Sequence, residues 1–324
     1  MTLPKRYALI TIGILFFFIA APSLVLGIRG YTFDFQDKRL IKTGILEVKI
    51  EPRDVEITVE NQGKTRVRNK SGSFRFLKPG DYKVTIEKSG YFTWQKNLAV
   101  RGGLVTRASG DTQSVVLIPE KPKLISESAN YEPKNKSSES QYIYSFEKLG
   151  DNGANLVRLN TKNTQDKKII LANLPYREKS QIYAAPNGLI FVIIDRVLYQ
   201  VGNDLAYLAD GVDFARWDKN AEKLAYGNAH ELNLYDPFNP AQNQRELIIR
   251  TSEEGGNFCI MPKAGYVLRV YGNFIRAIEL DGRDRRNTYY LLSSENNLDI
   301  IECDSLGESI VVRDKDKYKI YSLN

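Results

Sequence analysis

Tyr266–Leu280 reads YVLRVYGNFIRAIEL, two apolar runs separated by Gly272–Asn273. Strand-forming runs on either side of a two-residue glycine-containing link predict a tight β-hairpin. The same device recurs at Leu189–Ile194 and Val197–Val201 around Asp195–Arg196, and at Leu224–Tyr226 and Leu232–Tyr235 around Asn228–His230. A further copy joins Ser309–Arg313 to Tyr318–Leu323 through Asp314–Asp316. Apolar runs precede three of these hairpins, at Phe214–Trp217, Phe258–Ile260 and Leu298–Ile301. Others follow, at Leu205–Leu208, Leu247–Ile249 and Tyr289–Leu292. A looser copy spans Tyr142–Leu171, and Gly265 and Gly307 hold matching points in successive copies. Four strands every roughly 40 residues is the period of a β-propeller blade. Residues 141–324 thus predict a β-propeller-like repeat domain of about five blades, the last lacking its outer strand. Leu124–Ser126 is a candidate to complete it, and an irregular array of β-sandwiches is the alternative architecture.

The repeats resemble generic bacterial propellers of the WD40-like or TolB-like kind, without a diagnostic blade signature. Upstream, residues 119–140 (PEKPKLISESANYEPKNKSSES) are rich in Pro, Lys, Glu and Ser and read as a linker.

Residues 44–118 form a second β segment. Apolar residues alternate at Leu46-Val48-Ile50, Val55-Ile57-Val59, Phe74-Phe76, Tyr82-Val84-Ile86 and Leu98-Val100, the mark of half-buried strands. Turns fall at Asn61-Gln62-Gly63, Pro79-Gly80-Asp81 and Ser89-Gly90, where Pro79 and Gly80 suit a type II turn. The order Gly44-Ile45-Leu46-Glu47-Val48, Pro52, Leu77-Lys78-Pro79-Gly80-Asp81-Tyr82-Lys83-Val84, Gly90-Tyr91 and Val100-Arg101-Gly102 resembles the PEGA domain. That resemblance implies a small β-sandwich of bacterial and archaeal surface proteins. Arg53-Asp54-Val55 replaces the family's namesake corner after Pro52, so that corner is built differently. Tyr82, Tyr91 and Trp94 then read as core-filling aromatics, with an exposed sugar platform as the alternative.

Ahead of both lies Tyr7–Ile28 (YALITIGILFFFIAAPSLVLGI), which carries no charge. At about 1.5 Å per residue, a helix of this length crosses a hydrocarbon core of roughly 30 Å. A cleaved signal peptide fits less well, because Ala20–Ala21 is followed at once by Pro22 and no small-x-small pattern comes later. The expectation is an uncleaved transmembrane helix at 7–28, a cytoplasmic head at 1–6 and a juxtamembrane segment at 29–43. Lys5 and Arg6 favour a cytoplasmic head, while Arg29, Lys38, Arg39 and Lys42 pull the other way. We read the body as extracytoplasmic.

Composition sets limits. Aromatic residues at 11% and charged residues at 26% fit folded material rather than disorder. The net charge of +7 is concentrated early: residues 44–118 hold thirteen basic and eight acidic side chains, whereas residues 119–324 are slightly acidic. A basic region beside a bilayer suggests anionic lipid or an anionic wall polymer as a contact. No recognition motif points to nucleic acid. Lys64, Arg66, Arg68 and Lys70 alternate along one predicted strand and are the leading candidate ligand contacts, with plain solvation as the bland reading.

Catalytic signatures are sparse. His230 is the sole histidine and falls in a predicted turn, and no Gly-x-Ser-x-Gly elbow exists. Cys259 and Cys303 lie on predicted inner strands and read as two free buried thiols, a disulfide being the alternative. Asp281-Gly282-Arg283-Asp284 has weak calcium-loop character and reads as an ordinary turn. No cofactor or metal site is expected. The expected role is non-enzymatic: a single-pass cell-envelope protein displaying its β modules for protein or glycan contact. The alternatives are a polysaccharide hydrolase or lyase, or the sensing subunit of an envelope assembly.

Overall fold

The computed structural model describes residues 3–35, 38–61, 63–132, 141–163, 165–218, 222–239, 245–304 and 306–323. Met1–Thr2 of the head, Gln62 of the first predicted turn and residues 133–140 of the linker lie outside them. Among the described residues the chain is all-β apart from one helix, and it divides into two compact units. The first comprises Met1–Leu117 and Asp281–Asn287, the second Ile118–Leu280 and Thr288–Asn324.

The first unit opens with α1 (Leu3–Ile28), which begins ahead of the expected start and runs through Pro22. Ser23 Oγ donates to the Ile19 carbonyl at 2.7 Å in the turn around the proline. Segment 29–43, read from sequence without strands, is a hairpin of β1 (Tyr31–Asp34) and β2 (Arg39–Lys42). Its four-residue strands are too short for periodicity to register. Next come β3 (Gly44–Val48), β4 (Ile50–Glu51), β5 (Glu56–Asn61), β6 (Lys64–Arg68), β7 (Gly72–Leu77), β8 (Gly80–Glu87), β9 (Trp94–Val100), β10 (Val105–Arg107) and β11 (Val115–Val116). They form sheets β10-β3-β7 and β6-β5-β8-β9, with β4 and β11 paired in parallel. Leu46, Val48 and Phe74 of one sheet share a core with Ile57, Val84 and Trp94 of the other. Gly80 has φ +153 and starts β8, so this corner needs glycine without being a type II turn.

The loop Asp281–Asn287 completes this unit. Lys96 on β9 is 0% exposed, and its Nζ donates to the carbonyls of Asp281 (2.6 Å), Arg283 (3.0 Å) and Arg285 (3.2 Å). The loop read as an ordinary turn is therefore a cation cradle, and the cation it holds is the chain's own ammonium. Arg283 in turn donates to the carbonyls of Arg107 (2.9 Å) and Ala108 (3.0 Å).

The second unit starts with β12 (Lys123–Ser128), a strand inside the segment read as linker. Its first sheet is β13 (Tyr142–Lys148), β14 (Gly153–Asn160) and β15 (Lys167–Pro175). The second is β16 (Gln181–Ala184), β17 (Ile190–Ile194), β18 (Val197–Val201) and β19 (Leu205–Ala209). A third holds β20 (Phe214–Trp217), β21 (Leu224–Gly227), β22 (Glu231–Tyr235) and β23 (Arg245–Arg250). The fourth holds β24 (Phe258–Met261), β25 (Tyr266–Tyr271), β26 (Phe274–Glu279) and β27 (Thr288–Ser293). In the fifth, β28 (Leu298–Cys303), β29 (Ser309–Asp314) and β30 (Lys317–Ser322) are joined by β12, which pairs with β30 through Leu124 opposite Tyr321. All five sheets are antiparallel; the first four are meanders, and in the fifth β12 adds beside β30 from the start of the unit. Successive sheets pack face to face. In β17, Ile190 and Val192 join a core with Leu156 of the previous sheet, whereas Phe191 joins one with Leu224 of the next. Alternate residues buried on opposite faces are what a propeller blade requires. Asp195 and Arg196 both take positive φ (+51 and +63), the conformation of a type I′ hairpin turn.

Cys259 on β24 and Cys303 on β28 are bonded to each other, with Cα atoms 6.3 Å apart. The expectation of two free thiols fails here. Both lie on first strands, Cys259 second in β24 and Cys303 last in β28, and the packing of these neighbouring strands brings their side chains within bonding reach.

Arg269 on β25 is also 0% exposed, and its Nη2 donates to the carbonyls of Asn228 (2.6 Å), Ala229 (2.9 Å) and Gly255 (3.2 Å). A Cβ on Gly255 would stand 2.1 Å from Arg269 Nε. Gly255→Ala should therefore destabilise the second unit by ~2 kcal/mol, as overpacking does. In an Arg269→Met background the same change should cost under ~0.5 kcal/mol, a coupling that thermal melts of the four variants would measure.

Candidate functional site

Lys64, Arg66 and Arg68 of the basic stripe lie on β6, an edge strand whose residues are all exposed and which, among the described residues, pairs with β5 alone; Lys70 follows it. Register decides where its side chains go. Arg66 and Arg68 stand opposite Val59 and Ile57, both buried, so they project from the core-facing side of their sheet. They reach across the open edge of the sandwich toward β7. Arg66 Nη1 donates to the Arg75 carbonyl at 2.8 Å, and the Arg68 guanidinium sits 5.2 Å from the centre of the Phe74 ring. Two guanidinium groups are thus held in place, one by a hydrogen bond and one by a cation–π contact.

The groove they border holds about 590 Å³ and is lined by Arg66, Val67, Arg68, Ser73, Phe74 and Arg75. Three arginines and no carboxylate line it, so its field is positive. The same field reaches Tyr82: burial raises its hydroxyl pKa, and Arg66 pulls it partly back. Tyr82 Oη donates to the Lys78 carbonyl at 2.9 Å.

The four residues of the predicted stripe do not stay together. Lys64 does not line this groove. Lys70 lines a second cleft of about 930 Å³, where Lys49 and Arg107 are offset by Glu47 (3.6 and 3.4 Å). Arg75 was missed. Its only signal was alternation with Phe74 and Phe76, and the partner strand was invisible in sequence. Among the PEGA-like positions, Gly44 starts β3, Pro52 follows β4 through a cis peptide, and Pro79 and Gly80 form the corner before β8. Gly90 turns the chain between β8 and β9, and Tyr91 packs half-buried on the core under Lys88. Tyr82 and Trp94 are buried in the core.

No family model matches this chain, and no curated protein sequence does. Among solved structures it is similar to the β-propeller domain of Cps50 (Swd1) from Myceliophteria thermophila, at 10% identity over 87% of this chain and 97% of that one, with a TM-score of 0.41. YCF48 bound to D1 peptide is similar at 10% identity over 88% and 95%, TM-score 0.40. TolB from Acinetobacter baumannii is similar at 10% identity over 94% and 68%, TM-score 0.34. At such scores the propeller assignment rests on the strand order and the alternating burial described above.

Proposed function

We propose that this chain is a non-enzymatic, membrane-tethered binding protein whose β units are displayed outside the cytoplasm. The observation that carries the tether is Thr11–Ile28, a helical stretch of mean hydropathy 2.3 with none of its length buried against the protein. Water would solvate that surface at a large cost, and a bilayer removes it. The Cys259–Cys303 bond supports the compartment, because disulfides persist where the surroundings are oxidising. The first unit, a PEGA-like sandwich in this reading, grips an extended polyanion along Arg66, Arg68 and Arg75. The second, a five-bladed propeller, offers loops to a protein or glycan partner.

Two experiments test this. Protease shaving of intact cells should remove the second unit while α1 stays in the alkali-washed membrane; protection from protease would reverse the topology. Long-chain polyphosphate should bind the full-length protein in detergent. Replacing Arg66, Arg68 and Arg75 together by Ser should weaken binding at least ~tenfold, since one charge-assisted hydrogen bond is worth about that much. Lys70→Ser should leave binding unchanged. Equal affinities for the triple variant and the wild type would sink the groove.

A further inference from the structure

The β1–β2 hairpin has two unlike faces. Phe33 stands directly opposite Leu40, and Phe35, two residues on from Phe33, packs edge-on against it with ring centres 5.1 Å apart. These three apolar side chains share one face and are 45%, 51% and 84% exposed. Tyr31 and Lys42, paired at the base, belong to that same face. The other face carries Asp34 opposite Arg39, and Asp34 is buried and paired with Lys78 at 2.8 Å. One face is thus fixed to the first unit while the other leaves a Phe-Phe-Leu cluster uncovered.

Its placement along the chain is equally constrained. Gly30 alone, with φ +78, follows the end of α1 and Arg29, and its carbonyl accepts from both Thr43 N and Thr43 Oγ1 at 2.7 Å. Both ends of the hairpin are therefore pinned at the foot of the helix. Gly103 N donates to the Thr43 carbonyl at 2.8 Å, which sets a second exposed apolar pair, Leu104 and Val105, beside the hairpin base. Arg29, Lys38 and Lys42 bring positive charge to the same few residues.

We infer that this hairpin is a membrane-interface foot. Phe33, Phe35 and Leu40 enter the acyl–headgroup boundary of the bilayer that α1 crosses, and Arg29 and Lys42 meet its anionic headgroups. Aromatic side chains and basic residues partition to this depth, which the few residues after a transmembrane helix can reach. The inference rests on the membrane reading of α1. It adds a second contact that restrains how the first unit stands on the membrane.

The test labels full-length protein with an environment-sensitive NBD probe at Phe35→Cys or, on the opposite face, Arg39→Cys. Each is reconstituted in phosphatidylcholine–phosphatidylglycerol vesicles containing headgroup-spin-labelled lipid. Position 35 should be quenched several-fold more strongly than position 39 and emit to the blue of it. Equal quenching at 35 and 39, in protein that survives an alkaline wash, overturns the foot and leaves the tether standing. Protein that washes off the vesicles overturns the tether, and the foot with it. Contrast that persists undiminished in vesicles of phosphatidylcholine alone would overturn only the role assigned to Arg29 and Lys42, because insertion of the apolar face needs no charge.

Discussion

Lys96→Met should abolish amide protection across residues 281–287 and loosen β9, measured by hydrogen exchange on the full-length protein. The lysine's ammonium is the shared donor for three carbonyls and lies 3.5 Å from a carboxylate oxygen of Asp281. Methionine fills a similar volume and supplies no donor. Breaking a buried charge pair costs about 3–5 kcal/mol, and solvent readmitted to the freed loop offsets part of that, so ~3 kcal/mol is expected. Local protection is the right readout because a chain of two units has no single unfolding free energy. Acid should act in the same direction. Burial pushes the Asp281 carboxyl upward, but hydrogen bonds from Arg283 and the charge of Lys96 outweigh it, and the net pKa lies below the ordinary value. A depressed carboxyl stabilises the folded form above its unfolded pKa of about 3.9, and the contribution is lost as pH falls through the lower folded value. Wild-type protection at 281–287 should therefore decline below about pH 4. Unaltered exchange in Lys96→Met would show that the three carbonyls are satisfied by other donors.

Replacing Cys259 and Cys303 together by Ala should cost the second unit about 4 kcal/mol, the chain-entropy value for a loop of this length. The two cysteines are 44 residues apart in sequence and tie the first strand of one sheet to the first strand of the next. Alanine is preferred to serine because both positions are buried and a hydroxyl there would lack a partner. The direct check is thiol titration: none in the denatured, unreduced protein and two after reduction. Thermal melting with and without reductant should reproduce the shift of the double variant. Two reactive thiols before reduction would refute the bond and remove one support for an extracytoplasmic body.

The hairpins were legible because their information is local. Gly272–Asn273 and Asp195–Arg196 sit between apolar runs, and the turn and alternation together specify an antiparallel pair whatever surrounds it. Leu124–Ser126 could be singled out because the last repeat lacked a strand, and β12 does pair with β30. The parallel pairing of β10 with β3 left no such trace, since neither strand is joined to the other by a turn. The basic stripe was legible as alternation, but its partner Arg75 was not. Alternation says that Arg66 and Arg68 share a side; only the β5–β6 register says which side, and only the apposition of β7 says what they meet.

By itself, then, the sequence determined the apolar helix, the repeat of antiparallel hairpins and the alternating strands of the first unit. Each follows from hydrophobic periodicity and turn chemistry within a few residues. Tertiary structure alone decided that Lys96 is caged by a loop 185 residues away, that Cys259 meets Cys303, and that Phe33, Phe35 and Leu40 gather on one uncovered face. Each depends on which segments the fold sets side by side, which no local pattern encodes; for Lys96 the added reason is that a buried ammonium demands carbonyl partners wherever the chain can bring them.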